Sequence, residues 1–146
     1  MKNVTTKLMI VAAALAAAAQ LAPAQTEKME AKIPFAFRIS GKVLAPGTYQ
    51  VRMLSQSSGG KLIVLNGKGQ SYEALTFAYP NGDAKAAWTA SGNAILEFQC
   101  GVSRCALDQV WMGDPSVPAY RVPVPKLGKD EPVHTAEIVL QRVKTD

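Results

Sequence analysis

The chain has two cysteines, Cys100 and Cys105, standing in FQCGVSRCAL with four residues between them. Such a pair can serve three chemistries: dithiol redox exchange, soft-metal ligation, or a structural disulfide. Redox motifs hold two intervening residues, and a zinc site needs two further good ligands close by. A short loop containing Gly101 between two apolar runs suits a disulfide across the mouth of a hairpin, in a compartment that oxidises thiols. So small a ring contributes roughly 2 kcal/mol in the loop-entropy account.

Pairing the sulfurs would set the register of the whole hairpin. Phe98 then opposes Leu107, Leu96 opposes Gln109, and Glu97 opposes Asp108. Two carboxylates across a ladder repel each other. They are tolerated if they share a proton or hold a hard cation, which makes Glu97 and Asp108 a candidate acidic pair. A bulge, or basic side chains flanking both acids, is the structural alternative. His134 is the sole histidine and sits at a strand start beside Pro132-Val133, with no ligand motif near it. The fingerprints of serine hydrolases, zinc proteases, P-loops and dinucleotide sites do not occur. No cofactor or metal is expected. Trp88, Trp111, Tyr72, Tyr79 and Tyr120 could form a stacking surface for sugars, although aromatic rings in a small domain are usually core. Trp88 and Tyr120 lie in the least regular stretches, so they are the better candidates for exposed aromatic contacts.

The elements that must position these residues read as strands. In residues 33–40, Ile33, Phe35, Phe37 and Ile39 share one parity, while Pro34, Ala36, Arg38 and Ser40 take the other. That alternation gives one apolar face. Gly41-Lys42 can turn the chain, and Pro46-Gly47 suits a type II turn. Tyr49, Val51 and Met53 then alternate with Gln50 and Arg52. Residues 26–32 read as a polar lead-in, and Asn66-Gly67 as a hairpin turn. Residues 72–79 place Leu75, Phe77 and Tyr79 on one face, and 84–89 read as a short strand carrying Trp88. Strands over 94–100 and 105–112 flank the cysteine loop. The proline-rich stretch 114–132 is expected to lie along an edge at 120–124, and 135–143 to be a central strand. Turn signals every eight to twelve residues, with little helical periodicity, indicate a single antiparallel β-sandwich or small barrel of about seven to nine strands.

The run IPFAF, continued by GKVLAPGTYQVR, resembles the VPFxFxVGxKxLPAGxYxV-type start of small exported β-rich proteins frequent in acidobacterial genomes. The resemblance covers about twenty residues and implies an exported all-β domain, with no activity attached. The shorter phrase LAPGTYQV is similar to transthyretin-like and carboxypeptidase-regulatory-like β-sandwiches, where a Pro-Gly turn also precedes an aromatic strand.

Residues 1–24 read as an address. Lys2 and Lys7 form a basic head, residues 8–19 an uncharged apolar run, and Ala22-Pro23-Ala24 a cleavage site, with Gln25 opening the exported domain of residues 25–146. The apolar run is short and Ala-rich for a permanent span, so membrane contact is expected only before cleavage. The formal net charge of +5 includes both leader lysines. The remaining basic residues are scattered without a concentrated patch, which excludes the electrostatic footprint of a nucleic-acid binder. These readings combine into a noncatalytic exported β-domain, periplasmic or extracellular, with a binding or structural role toward an envelope polymer or protein. Two alternatives stand beside it: an envelope hydrolase with a carboxylate-based site, and a carrier of a small apolar ligand.

Overall fold

The computed structural model describes residues 28–69, 73–124 and 132–144. The leader expected over residues 1–24 and the ring of Tyr72 lie outside the described residues. Among the described residues the fold is all-β apart from one short helix. Its strands are β1 (Met29–Ile33), β2 (Phe37–Ile39), β3 (Lys42–Leu44), β4 (Gly47–Ser55), β5 (Lys61–Gly67), β6 (Glu73–Pro80), β7 (Ile95–Cys100), β8 (Cys105–Trp111), β9 (Tyr120–Arg121), β10 (His134–Val139) and β11 (Gln141–Arg142). Helix α1 (Ala86–Ser91) lies between β6 and β7.

The eleven described strands exceed the expected number because several runs are divided where the chain changes partner. Strands 33–40 illustrate this. The alternating face is as expected, with Ile33, Phe37 and Ile39 buried and Phe35 half-buried. Pro34 has no amide to donate, however, and pairing breaks there. Residues before it pair with β4, and Phe37 and Arg38 pair in parallel with Cys105 and Ala106 of β8. This parallel ladder makes the sheet mixed rather than antiparallel throughout. The parity also extends further upstream than a polar lead-in allows: Met29 and Ala31 are buried, and the whole of β1 pairs with β4. Ser40 and Gly41, with φ of 47° and 76°, turn β2 into β3 in place of Gly41-Lys42. Gly47 is not a turn residue but the first residue of β4, opposite Ile33.

The strand order is β10-β7-β8-β9-β6-β5-β4-β1-β11, with β2 pairing β3 and β8. Its two terminal members belong to one segment. β10 pairs with β7, β11 pairs with β1, and the single residue Leu140 separates them, its amide donating to the carbonyl of Ala94 at 2.8 Å. The expected central strand over 135–143 is therefore two short strands on different partners. β9 is likewise no edge: its two residues pair with β6 on one side and β8 on the other. Asn66-Gly67 also continues the ladder, Asn66 opposite Glu73 and Gly67 opposite Tyr49.

The interior is built around aromatic rings. Phe37 meets Tyr49 and Phe98 edge to face at 5.4 and 5.3 Å between centroids, and Phe35 meets Phe98 at 5.2 Å. Such pairs add to the area they bury. A second, smaller core lies on the outer face of the β7–β8 hairpin. There α1 lays Trp88 along Trp111, with ring centroids at 6.5 Å, and Ile95 and Ala119 pack beside them. The helix replaces the expected strand at 84–89 because alanines favour it and Gly92 ends it, its amide donating to the Trp88 carbonyl. On β6 the small residues Ala74, Thr76 and Ala78 face inward, leaving Leu75, Phe77 and Tyr79 about half exposed.

Candidate functional site

The hairpin that carries the cysteines also carries most of the buried polar residues. Cys100 and Cys105 are opposite one another and joined at 2.05 Å. From the disulfide inward, Gln99 faces Ala106 and Phe98 faces Leu107, as the paired sulfurs require. The register then shifts. Glu97 faces Gln109, Leu96 faces Val110, and Asp108 is the additional residue of a β-bulge. The expected opposition of Glu97 and Asp108, and of Leu96 and Gln109, is therefore replaced by this bulge, which separates the two acids along the ladder.

Glu97 nevertheless faces a carboxylate, on the other side of its strand. Its partner in β10 is Glu137. Lys85, just ahead of α1, relieves the repulsion: its ammonium is bonded to Glu97 Oε2 and lies 3.7 Å from Glu137 Oε1. The same ammonium sits 4.9 Å from the Trp88 ring centroid, and the Trp88 indole N–H donates to Glu137 Oε1 at 2.9 Å. The other Glu97 oxygen accepts from Gln109 Nε2 at 3.2 Å, and Gln109 Oε1 accepts from Asn81 Nδ2 at 3.4 Å. Glu97 is only 2% exposed. Its oxygens are taken up inside this chain of bonds, as a buried charge requires.

Asp108 anchors a second group. One oxygen accepts from Gln99 Nε2 at 2.9 Å, and the other lies 3.5 Å from Arg121 Nε. Asp108 is 3% exposed, whereas the Arg121 side chain is about half exposed. These residues floor and flank a depression of about 480 Å³, completed by Tyr79, Pro80, Asn81, Val122, Pro123 and Val124. It forms where β9, two residues long, is all that joins β6 to β8. Beyond Arg121 the chain leaves the ladder, held by the Val122 amide donating to the Asp108 carbonyl at 2.8 Å.

Trp88 and Tyr120, the better candidates for exposure among aromatics otherwise expected in the core, are both buried. Trp88 is 2% exposed against Trp111, and Tyr120 is 6% exposed, turned into the main core with Lys61 5.7 Å from its ring. The exposed ring at the depression is Tyr79. His134 is exposed and opposite Cys100 in the β10–β7 ladder. Among the described residues, no three His, Cys, Asp or Glu side chains gather as metal ligands. The sequence reading missed Lys85, Glu137, Asn81, Gln99 and Arg121. The nearest signal lay in the alternation of β10, where Glu137 falls on the parity opposite Ala136 and Ile138, the same outer face that Glu97 takes on β7.

Comparison with protein-family profiles, with curated proteins and with solved structures returned no match.

Proposed function

We propose that this chain is a noncatalytic, exported β-domain that binds a component of the cell envelope. In this reading its sheet closes as a small barrel through the segment 134–142, and the depression around Asp108 and Arg121 is its binding site. The observation that carries the reading is the state of Asp108. A carboxylate 3% exposed, braced by Gln99 and Arg121, forms the floor of an open depression whose other polar side chains reach solvent. Fixed polar groups set in a partly apolar concavity are what small-ligand recognition needs. The bond between Cys100 and Cys105 fits an oxidising compartment, in keeping with the leader expected at residues 1–24.

The two alternatives find less support. A catalytic carboxyl must reach a substrate proton directly or through one water, whereas Glu97 is sealed and engaged by Lys85 and Gln109. A carrier of an apolar ligand needs interior space, and here the rings of Phe35, Phe37, Tyr49 and Phe98 pack against each other inside.

The test is cosedimentation of the purified exported protein with isolated cell-envelope fractions. Retention is expected, and Arg121→Ala should lower it while leaving the circular dichroism spectrum unchanged. The same preparation should be screened against glycosides and esters with Glu97→Gln as control. Retention indifferent to Arg121→Ala, or a turnover abolished by Glu97→Gln, would overturn the reading.

A further inference from the structure

We infer that the depression takes a neutral sugar ring, stacked on Tyr79 and hydrogen-bonded by Arg121, Gln99 and Asn81; the inference rests on the depression being the binding site. Tyr79 precedes Pro80, the last residue of β6, and is 57% exposed. Its ring lies against the backbone of buried Gly60, where an added Cβ would stand 3.5 and 3.6 Å from Tyr79 Cδ1 and Cε1. The ring is therefore backed along its Cδ1–Cε1 side and stays more than half exposed at the wall of the depression. A ring held this way is a platform for the C–H face of a pyranose, which combines an apolar face with a polar rim.

The polar atoms around it suit that rim. Gln99 commits its amide nitrogen to Asp108, and Asn81 commits its own to Gln109, which leaves both side-chain carbonyls as acceptors. Arg121 turns Nε toward Asp108 and keeps its two terminal nitrogens as donors. Both acceptors and donors thus line the depression, and each sugar hydroxyl is both donor and acceptor. Charge narrows the class further. Arg121 and Asp108 offset each other, so an anionic ligand would meet the Asp108 carboxylate and a cationic one the guanidinium. A neutral ligand meets neither penalty. The volume of about 480 Å³ lies within the usual range for small-ligand sites and accommodates one or two rings.

The experiment is an amide-shift titration of isotope-labelled protein with soluble cello-, chito- and xylo-oligosaccharides, alongside a proline-rich peptide that could use the same tyrosine and prolines. A saturable shift centred on Tyr79, Asn81, Gln99 and Arg121 is expected with at least one oligosaccharide. Tyr79→Ala should weaken it by about tenfold, and Tyr79→Phe should retain it. Saturable binding of the peptide in place of the sugars, oligosaccharide shifts centred elsewhere, or no shift with any oligosaccharide would overturn the sugar assignment. Envelope retention sensitive to Arg121→Ala distinguishes that failure from failure of the binding reading itself.

Discussion

Lys85 stands between two carboxylates that the β7–β10 register sets opposite one another, its ammonium bonded to Glu97 and 3.7 Å from Glu137. Removing it would leave Glu97 buried beside Glu137 with only the neutral donors Gln109 and Trp88 in place of the ammonium. Lys85→Met is therefore expected to destabilise the fold by about 2 kcal/mol, less than a fully buried pair because the lysine is itself about half exposed. Adding Glu97→Gln should recover part of the loss, since the amide no longer carries the stranded charge. Urea unfolding of the single and double variants checks both statements, and equal losses in the two would show that Lys85 matters only for packing on Trp88. Asp114 presents a simpler case. Its carboxylate accepts from the Ser116 amide at 2.9 Å and hydroxyl at 2.7 Å, and these bonds hold its pKa below the ordinary 3.8. A depressed folded pKa means that the contribution is present above the unfolded value and fades as pH falls through the folded one. The same turn accepts the Trp111 indole N–H at the carbonyls of Asp114 and Val117, each at 3.2 Å. Trp111 fluorescence should change as pH drops below the ordinary carboxylate range, and Asp114→Asn should remove that step.

At the scale of elements, the faces of β6 and the β7–β8 hairpin make different demands. Phe77 is 57% exposed, so Phe77→Ser is expected to change stability by no more than about 0.5 kcal/mol. Phe98, fully buried among Phe35 and Phe37, should cost about 3–5 kcal/mol when cut to alanine. Thermal melts of the two variants measure the contrast, and a large loss at Phe77 would mean that its face is covered in solution. Replacing Cys100 and Cys105 together by serine should cost roughly 2 kcal/mol without unfolding the domain, because the ring is short. Peptide mapping without reductant should recover the two cysteines linked. The same elements show what is legible in the chain. Alternation in β2 and β4 is unambiguous because large apolar residues occupy one parity and polar ones the other, and the cysteine spacing places the hairpin mouth. On β6 the sizes are reversed: with the interior occupied by rings from β2, β4 and β7, alanines face inward and the larger Leu75, Phe77 and Tyr79 face out. Nothing local to β6 carries that information. A bulge, or flanking basic side chains, is the alternative to opposed carboxylates that the sequence offers, and both occur; what the local pattern does not carry is the placing of the extra residue at Asp108 and its partners Gln99 and Arg121. Most of the candidate site depends on that bulge, so its cysteine anchor and the acids Glu97 and Asp108 are legible while Asn81, Gln99 and Arg121 are not.

For the whole molecule the question is whether the strand order is a line or a ring. β10 and β11 hold the two ends of the order, and they are consecutive, divided only at Leu140. Leu140 is 4% exposed and packs in the main core, while Val139 beside it is 46% exposed. Were these two strands ordinary edges, removing them would trim the sheet at each side and leave the remaining strands paired and cooperative. If they close it, the same removal exposes the flanks of β7 and β1 together and opens the core built from Phe37, Tyr49 and Phe98. If the sheet closes as proposed, a chain stopped after residue 133 is expected to lose its single cooperative urea transition. A point change should reproduce this in milder form: Leu140→Asp places an unpaired carboxylate in the core and should cost at least about 3 kcal/mol, whereas Val139→Asp, facing out, should be close to neutral. Unfolding followed by both tryptophan fluorescence and circular dichroism separates the cases. A truncated protein that still melts in one sharp transition would show that the sheet stands without its closing segment.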